Sequence, residues 1–425
     1  MMSKRCLKRN QTLIPELLRN HGALLYGDTS VIDLSTAENQ LLMEELLPEF
    51  QAAFDASTWS SQELAYSEGV GGCPKVRGLI ADLVNSHFQP HAQVNQSHIV
   101  LGAGGCFALN ALIEAICDPG DGILIAAPYW PGLDLGISVH NDAKAVVVRV
   151  PHEDFFRVES IRHYSKALLS APVLVKAMII CNPHNPLGRN YPRETLQAIL
   201  DFCAERQIHL ISDEVYALSQ HVQPTSENPS AGFVSALSLD ASHARGLVHV
   251  VYSLSKDFGC NGIRLGAFIS QDNKAVVMSG ALSTHCQTST MATLVAQKII
   301  LTDENIQFVN TYGRGLLKSA YTVMEDFLNQ HRIEFVSAEC GMYIFAKLCG
   351  DRTSVDDEWL FQAILRRNGL VLSAGTDYHC KTPGWFRICY GCDREKLGRG
   401  LDRLRDCLQE FGETEFKFPF NDACF

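Results

Sequence analysis

The chain has 425 residues, about three times the usual length of one domain, so we expect two sub-domains and a large buried core. Hydrophobic residues make up 46% and charged residues 20% of the chain, which indicates a globular protein and excludes a fibrous or disordered one. The 36 Lys and Arg residues against 47 Asp and Glu give a net charge of −11, which argues against nucleic acid or a membrane as partner.

The N-terminal sequence and the cysteines bear on the compartment. The start MMSKRCLKRNQTLIPELL lacks the apolar core of a secretion signal, and no apolar stretch approaches the roughly 18 to 20 residues that span a bilayer. We therefore expect a cytoplasmic protein whose 15 scattered cysteines are reduced. Cys389 and Cys392 have the spacing of a metal or redox pair, but no second pair lies nearby, so we expect no metal site.

The middle of the chain has the pattern of an α/β fold. Between about residues 95 and 270, short apolar runs alternate with helical patterns such as Cys106–Ile116 and Arg193–Arg206. Several runs are continuously apolar, which is typical of parallel strands covered on both faces. We predict a mostly parallel, seven-stranded sheet between helices, with strands at His98–Leu101, Gly122–Ala126, Ala145–Val150, Val175–Ile180, His209–Ser212, Leu247–Tyr252 and Ala267–Ile269.

The C-terminal part predicts a smaller α/β domain. A long amphipathic stretch runs from Asp303 to Arg332 and is followed by further strands and helices. These are a strand at Gly341–Leu348, a helix at Val355–Arg367, strands at Gly369–Ser373 and Trp385–Cys389, and a helix from Arg394. We expect residues 1–50 to pack on this small domain (303–425), and residues 51–302 to form the large, ligand-binding domain.

The segment after the predicted strand Leu247–Tyr252 is the most informative about chemistry. Lys256 follows Ser253 and Ser255 at the carboxyl end of a parallel sheet, where α/β proteins place their sites. A desolvated lysine there can lose its proton and form a Schiff base. Alone, the segment would more often be a solvated loop, but Arg264 can join the two serines in holding a phosphate.

Two further segments follow neighbouring predicted strands. The sequence from Asn182 to Gly188 contains two Asn-Pro steps and predicts a rigid loop that aims Asn185 inward, with a simple turn as the alternative. Asp213 follows the next strand and, if buried, needs a cationic or donor partner such as a protonated pyridine nitrogen. The alternative for Asp213 is a helix N-cap.

Three weaker signals complete the set. Gly102-Ala103-Gly104-Gly105 precedes a helix whose free N–H groups can hold a phosphate, and Pro128-Tyr129-Trp130 offers an aromatic face. Arg387, on a predicted strand, can grip a carboxylate with two hydrogen bonds, unless it forms a surface ion pair. Together, these residues indicate pyridoxal 5'-phosphate and an amino-acid substrate. They supply a lysine, a partner for the pyridine nitrogen, hydrogen-bond donors for the phosphate, an aromatic ring for stacking and an arginine for the carboxylate.

Over essentially its whole length the chain resembles the fold-type I pyridoxal-phosphate enzymes of the class I/II aminotransferase superfamily. It is most similar to the 1-aminocyclopropane-1-carboxylate synthase branch, through Ala37 to Leu41, Asn182 to Gly188, Ser253 to Asp257 and His379 to Arg387. The resemblance implies a homodimer with shared active sites and an amino-acid substrate. It also implies that Lys256 forms the Schiff base with the cofactor and later moves a proton.

The resemblance further implies a role for each remaining candidate residue. Asp213 would pair with the pyridine nitrogen, and Asn185 and Tyr216 would contact the phenolic oxygen. Arg387 would bind the substrate α-carboxylate, with Glu38 near the substrate and Tyr66 lent by the neighbouring subunit. The phosphate and ring would be held by Ser253, Ser255, Arg264, the backbone of Gly105, Cys106 and Phe107, and the stacked ring of Trp130.

Departures from the synthase pattern narrow the choice of reaction that we expect. The chain has Val70 where the synthases have a tyrosine, and Phe107 where family members usually offer a hydroxyl. We therefore do not expect efficient closure to the cyclopropane, which needs a closely lined pocket. Amino transfer is the expected reaction, as in fungal biosynthetic aminotransferases of this type. Carbon–sulfur β-elimination on a cysteine-derived conjugate is the alternative, and the residues alone do not separate the two or identify the substrate.

Two other classes of function are disfavoured. A non-catalytic regulator that binds pyridoxal phosphate would be favoured by loss of Lys256, Asp213 or Arg387, and all three are present. A dinucleotide-dependent oxidoreductase would need G-x-G-x-x-G after the first strand, and Gly102-Ala103-Gly104-Gly105 lacks that spacing.

Overall fold

The structure is a computed structural model of the protein. It describes residues 2–4, 6–7, 11, 30–56, 61, 65–66, 69–222 and 232–414. The predicted packing of residues 1–50 therefore lies partly outside the described residues. No helix in the described part of the chain is long and apolar enough to cross a membrane.

The centre of the fold is a seven-stranded sheet. The first described strand, β1 (Ile32–Asp33), lies outside it. The next seven are β2 (Ile99–Gly102), β3 (Gly122–Ala127), β4 (Lys144–Arg149), β5 (Val175–Cys181), β6 (His209–Asp213), β7 (Val248–Ser253) and β8 (Gly266–Ile269). Their order is β2-β8-β7-β6-β5-β3-β4, and only β8 runs antiparallel to its neighbours. The predicted, mostly parallel α/β sheet is thereby confirmed.

Helices cover both faces of this sheet because side chains alternate along its strands. In β3, Leu124 joins one apolar core, while Ile123 and Ile125 join the core on the opposite face. The helices of this part are Met43–Asp55, Pro74–His87, Gly105–Ile116, the short turn Gly132–Asp134 with its π-helical continuation Leu135–His140, Ser160–Ser170, Arg193–Arg206, Lys274–Ser283, and Thr290–Val295 with its π-helical continuation Ala296–Ile300.

The C-terminal part forms a second α/β unit. Its strands are β9 (Phe335–Val336), β10 (Tyr343–Lys347), β11 (Leu370–Val371), β12 (Ser373–Ala374) and β13 (Trp385–Cys389). Four of them make an antiparallel sheet in the order β12-β13-β10-β9, while β11 pairs in parallel with β1. Its helices are Arg314–Gln330, Val355–Arg367 and Arg394–Glu413, and the helix Asp303–Phe308 that precedes them has Ile306 in the core beside the large sheet.

Two elements of this part differ from the sequence prediction. The stretch predicted as one amphipathic run is two helices joined by a π-helix at Val309–Gly313. The strand predicted at Gly369–Ser373 is split into β11 and β12, because β11 pairs with β1 whereas β12 pairs with β13. The split arises because two different strands, β1 and β13, serve as partners. The hydrophobic pattern alone does not show which strands pair.

The segment 30–56 links the two parts of the molecule. Ile32 and Leu34 join the C-terminal core, whereas Leu42 and Leu46 pack with the core beside the large sheet. The residues between them, from Ser35 to Asn39, therefore lie where the two parts meet. The domain boundaries given above remain predictions.

Candidate active site

Three of the segments singled out in the sequence lie side by side because they follow adjacent strands. β5, β6 and β7 are hydrogen-bonded neighbours that run in the same direction. The chain therefore leaves the sheet at one edge after each of them. The loop with Asn185, the carboxylate of Asp213 and the turn with Lys256 meet at this edge.

Lys256 is partly buried at this edge of the sheet. Its Nζ donates a hydrogen bond of 2.7 Å to the backbone carbonyl of Ala37. Burial, and then the positive charge of Arg387, lower the pKa of Lys256. Both effects favour the neutral amine, which is the form that acts as a nucleophile or a base.

Asp213 ends β6 with its carboxylate buried. Its Oδ1 is buried without a hydrogen-bond partner among the described residues. Burial raises the pKa of Asp213 to about 6, although the Val215 N–H and the charge of Lys256 act in the opposite direction. A buried carboxylate oxygen without a donor is costly, so this position suits a ligand that brings an N–H group to it.

A cradle for an anion lies next to Lys256. The helix Gly105–Ile116 begins there after Gly104, which has no side chain that could cap it, so its first N–H groups suit a ligand. Gly104, at φ 88°, allows the guanidinium of Arg264 to pack directly on it, since a Cβ there would lie 2.4 Å from Nη2. Arg264 is itself left-handed, at φ 56°, and donates to the carbonyl of Ala103 at 3.3 Å.

Two serines complete this cradle. The buried hydroxyls of Ser253 and Ser255 are 2.9 Å apart, and Ser253 packs under Gly105, where a Cβ would lie 3.2 Å from its own Cβ. Hydroxyls, backbone N–H groups and a guanidinium are the donors that bind phosphate. Cys106 and Phe107 follow on the helix with exposed side chains, and the Phe107 ring meets His140 edge-on at 5.8 Å.

Trp130 lies beyond the carboxyl end of β3, which pairs in parallel with β5. Its half-buried ring covers Gly132, where a Cβ would lie 2.1 Å from the indole. Trp130 therefore lies at the same edge of the sheet as the residues above. Its predicted stacking on a flat ring stays a prediction.

Arg387 is buried at the opposite end of the site, on β13. Its Nη1 donates to Oδ1 of Asn185 at 2.9 Å, and its Nη2 donates to the backbone carbonyl of Ser35. The guanidinium carbon lies 5.3 Å and 5.1 Å from the ring centres of Tyr343 and Tyr378. Its Nε is buried without a partner within the described ranges. These contacts involve neutral oxygens and aromatic faces, so a carboxylate would suit this cation.

The remaining candidate residues, Tyr216, Glu38 and Tyr66, differ in how deeply they are buried. Tyr216 is buried near Arg387, with its ring edge-on to Tyr343 at 5.3 Å, and burial raises its pKa well above the usual value. Glu38 is half-buried and accepts a 3.0 Å hydrogen bond from Gln40. Tyr66 is 87% exposed, so in its own chain it is not enclosed by the site.

Sequence reasoning did not find four groups that shape the site. The carbonyls of Ser35 and Ala37 bind Arg387 and Lys256, and no side-chain pattern marks a backbone carbonyl. Tyr343 and Tyr378 flank Arg387, and β10 brings Tyr343 there by pairing with β13. The sequence signal for Tyr343 is its place on a predicted strand near that of Arg387, whereas Tyr378 lies in the turn Gly375–Tyr378 and has no such signal.

Over nearly its whole length, the chain is similar to a protein family and to individual proteins of known sequence. Residues 29–404 match the family described as aminotransferase class I and II. The chain is 97% identical over 425 residues to the probable aminotransferase tcpI of Claviceps purpurea, with all of both chains covered. It is 32% identical over 406 residues to 1-aminocyclopropane-1-carboxylate synthase 1 of Oryza sativa subsp. indica, covering 89% of this chain and 80% of that one.

Solved structures share the fold. The aspartate aminotransferase of Thermus thermophilus with maleate gives a TM-score of 0.76 at 20% identity, over 96% of this chain and 99% of that one. The aspartate aminotransferase of Thermotoga maritima gives 0.75 at 24% identity, over 96% and 100%. The family expected from the sequence is confirmed by these matches: the protein belongs to the class I and II aminotransferases, which have the fold-type I architecture.

Proposed function

We propose that the protein is a pyridoxal-phosphate-dependent aminotransferase that acts at the α-carbon of an amino acid. The observation that carries the proposal is the buried Oδ1 of Asp213, which lacks a partner among the described residues and lies at the same sheet edge as Lys256. A protonated pyridine nitrogen is the donor that this oxygen fits. The family match and the name of the Claviceps relative support the same activity.

The residues present fit this cofactor. Ser253, Ser255, Arg264 and the start of the helix Gly105–Ile116 would hold the phosphate, and Trp130 would stack on the ring. The amide nitrogen of Asn185, Nδ2, and the Tyr216 hydroxyl would contact the phenolic oxygen. Lys256 would be the attachment point, because its lowered pKa favours the neutral amine.

Each side chain then has a defined task in the reaction. Pyridoxal 5'-phosphate supplies an electron-accepting ring that stabilises negative charge at the substrate α-carbon. Lys256 would take the proton from the substrate α-carbon and move it on, and Asp213 would hold the proton on the ring nitrogen. Arg387 binds the substrate α-carboxylate and so orients the α-hydrogen toward Lys256.

We also propose that the protein forms a homodimer in which the two subunits share their active sites. Tyr66 is 87% exposed and Val70, close to it in sequence, is 56% exposed. Large exposed side chains of this kind suit coverage by a second subunit. Tyr66 would then reach the cofactor of the neighbouring subunit.

Reaction products test the proposal directly. The holoenzyme is incubated with each proteinogenic L-amino acid plus 2-oxoglutarate or pyruvate, with S-methylcysteine alone, and with S-adenosylmethionine alone. We expect a new 2-oxo acid only when amino donor and acceptor are both present, and none with Lys256→Ala. Pyruvate and ammonia from S-methylcysteine without an acceptor would instead identify β-elimination, and cyclopropane product would identify a synthase.

A further inference from the structure

One loop of the C-terminal part is held to the large sheet by a cluster of polar and aromatic contacts. The loop runs from residue 375 to residue 384 and carries Tyr378, whose ring lies against Arg387. Its next residue, His379, makes a 2.7 Å contact between Nε2 and Oδ2 of Asp134. Asp134 belongs to the segment after β3 that also carries Trp130.

The contact has more support than an isolated surface ion pair. The other oxygen of Asp134 accepts a 2.7 Å hydrogen bond from the buried hydroxyl of Tyr129. The rings of Tyr129 and His379 are stacked, 4.4 Å apart and 22° from parallel. The Tyr129 N–H donates to the Tyr378 carbonyl at 3.0 Å, and Arg149 donates to the carbonyl of His379.

The backbone of His379 also indicates that this residue is held in place. His379 has a φ of 60°, in the left-handed region that non-glycine residues adopt only at a cost. Such a conformation persists where surrounding contacts determine it. Here those contacts are the stack on Tyr129 and the contact with Asp134.

The ends of the loop are fixed separately. The buried carboxylate of Glu358 accepts hydrogen bonds from the Gly384 N–H, at 2.7 Å, and from the Thr376 hydroxyl. Glu358 therefore anchors both ends of the loop to its own part of the molecule. The middle of the loop, with Tyr378 and His379, is positioned by Asp134 and Tyr129.

We propose that Asp134 and His379 are positioning residues that hold Tyr378 against Arg387 and thereby set the affinity for the substrate carboxylate. The role rests on the proposed function, because it assumes that Arg387 binds that carboxylate. Both substrates of an aminotransferase carry an α-carboxylate, so loss of the contact should raise the KM for amino acid and 2-oxo acid together. Turnover at saturation should change little, since the loss is the same before and during the reaction.

Two reagents test the proposal without knowledge of the natural substrate. Aminooxyacetate and methoxyamine both react with a carbonyl cofactor, but only aminooxyacetate has a carboxylate. The ratio of their rate constants, followed by the cofactor spectrum of the holoenzyme, reports the carboxylate site. We expect Asp134→Ala and His379→Ala each to lower this ratio at least about fivefold, with normal cofactor content.

The double variant and a matched pair sharpen the result. Asp134→Ala combined with His379→Ala should lower the ratio no further than either alone, because both remove one contact. Asp134→Asn, which keeps an oxygen for Tyr129 or His379, should restore part of the ratio. Asp201 and His243 form a similar pair at 3.0 Å on the surface, and His243→Ala should leave the ratio unchanged. An unchanged ratio in the Asp134 and His379 variants, or an equal fall with both reagents, would overturn the proposal.

Hydrogen exchange separates failure of this proposal from failure of the proposed function. In protein without cofactor, the amides of residues 375–384 should exchange faster in Asp134→Ala and His379→Ala than in His243→Ala. Equal exchange rates would contradict a positioning role for the pair. A wild-type protein that binds no cofactor, or that shows no preference for aminooxyacetate, would contradict the proposed function, and the exchange rates would still decide whether the pair holds the loop.

Discussion

The two ends of the candidate site are built in different ways. At the anion cradle, Ser253, Ser255 and Arg264 come from one short stretch of chain beside the helix that starts at Gly105. At the other end, Arg387 binds Asn185 and Ser35, which are 202 and 352 residues away in sequence. The side chains of the cradle thus come from one local stretch, which the pairing of β2 with β8 brings to the start of the helix, whereas the carboxylate end exists only once both parts of the molecule are folded together.

The difference has consequences for function. Changes in the cradle should affect the cofactor, and changes around Arg387 should affect substrates that carry a carboxylate. Lys256 lies between the two ends, since its Nζ binds the same N-terminal segment that binds Arg387. Variants can therefore show whether the two ends act independently.

The largest effect is expected for Lys256→Ala, which removes the group common to both ends. Amino transfer should fall by at least about a thousandfold, because proton transfer by a positioned side chain contributes on that scale. Borohydride reduction followed by peptide mapping should link the pyridoxyl group to Lys256 in the wild type and to no lysine in the variant. The exposed Lys274 offers a control, since Lys274→Ala should keep both activity and linkage. Linkage to another lysine would contradict the assignment.

Arg387→Lys tests the carboxylate end alone. Lysine keeps the charge but cannot donate two parallel hydrogen bonds, so the KM for amino acids should rise about 10- to 100-fold. Cofactor content, measured by absorbance, should stay normal. The exposed Arg399 provides the control Arg399→Lys, which should behave as wild type. Equal activity of the wild-type enzyme on an amino acid and on its α-amide would argue against Arg387 as the carboxylate site.

Asp213→Asn tests the buried carboxylate at the sheet edge. A neutral amide does not favour a protonated ring nitrogen, and a hydrogen bond to a charged group is worth roughly 1.5 to 3 kcal/mol. Proton abstraction should therefore slow at least about tenfold, while cofactor binding is retained. Single-turnover measurements with deuterated substrate would detect the change. An unaltered rate would remove Asp213 from this role.

Gly104→Ala tests the cradle alone. The residue has a φ of 88°, and an added Cβ would lie 2.4 Å from Nη2 of Arg264. We expect cofactor affinity to fall about tenfold because this backbone conformation is strained for alanine and the guanidinium must move. At saturating cofactor, the KM for amino acids should be unchanged. Gly78→Ala is the control, because nothing lies within 4 Å of a Cβ there. A changed KM would show that the two ends are coupled.

The smallest effect concerns the buried carboxyl next to Lys256. Asp257 accepts hydrogen bonds from the Leu218 N–H and the Tyr252 hydroxyl, both at 3.0 Å. Burial raises the pKa of Asp257 to about 7. A carboxyl with a higher pKa in the folded state contributes stability below about pH 4, and this contribution is lost as the pH rises through about 7.

Thermal unfolding of the cofactor-free protein measures this contribution. Asp257→Asn cannot ionise, so its melting temperature relative to wild type should rise by a few degrees between about pH 4 and about pH 8. Asp326→Asn, at an exposed side chain, is the control. A pH-independent difference for Asp257→Asn would contradict the raised pKa.

Much of this architecture follows from local sequence. The strand Trp385–Cys389 and the helices Arg193–Arg206 and Val355–Arg367 have the predicted bounds, because their hydrophobic periods and flanking signals agree. The meeting of Asn185, Asp213 and Lys256 follows from the shared direction of adjacent parallel strands. These features need no pairing beyond that of strands that follow one another in the chain.

Other features depend on tertiary contacts that a local pattern does not encode. The carbonyls of Ser35 and Ala37 reach the site only because β1 pairs with β11 and so fixes the path of the N-terminal segment. Tyr343 faces Arg387 through the register of β10 and β13. The contact of His379 with Asp134 joins residues 245 positions apart, and neither residue has a local signal.

Under the proposed function, the Asp213 oxygen that has no partner among the described residues also links the abundance of this protein to vitamin supply. A chain without pyridoxal phosphate keeps a costly buried carboxylate, whereas the proposed complex gives it a donor. A ligand that binds only the folded state stabilises it by mass action, by about 2.7 kcal/mol at a hundred times its dissociation constant. Cells short of vitamin B6 should therefore contain fewer copies of the enzyme, because chains that unfold more often are degraded faster.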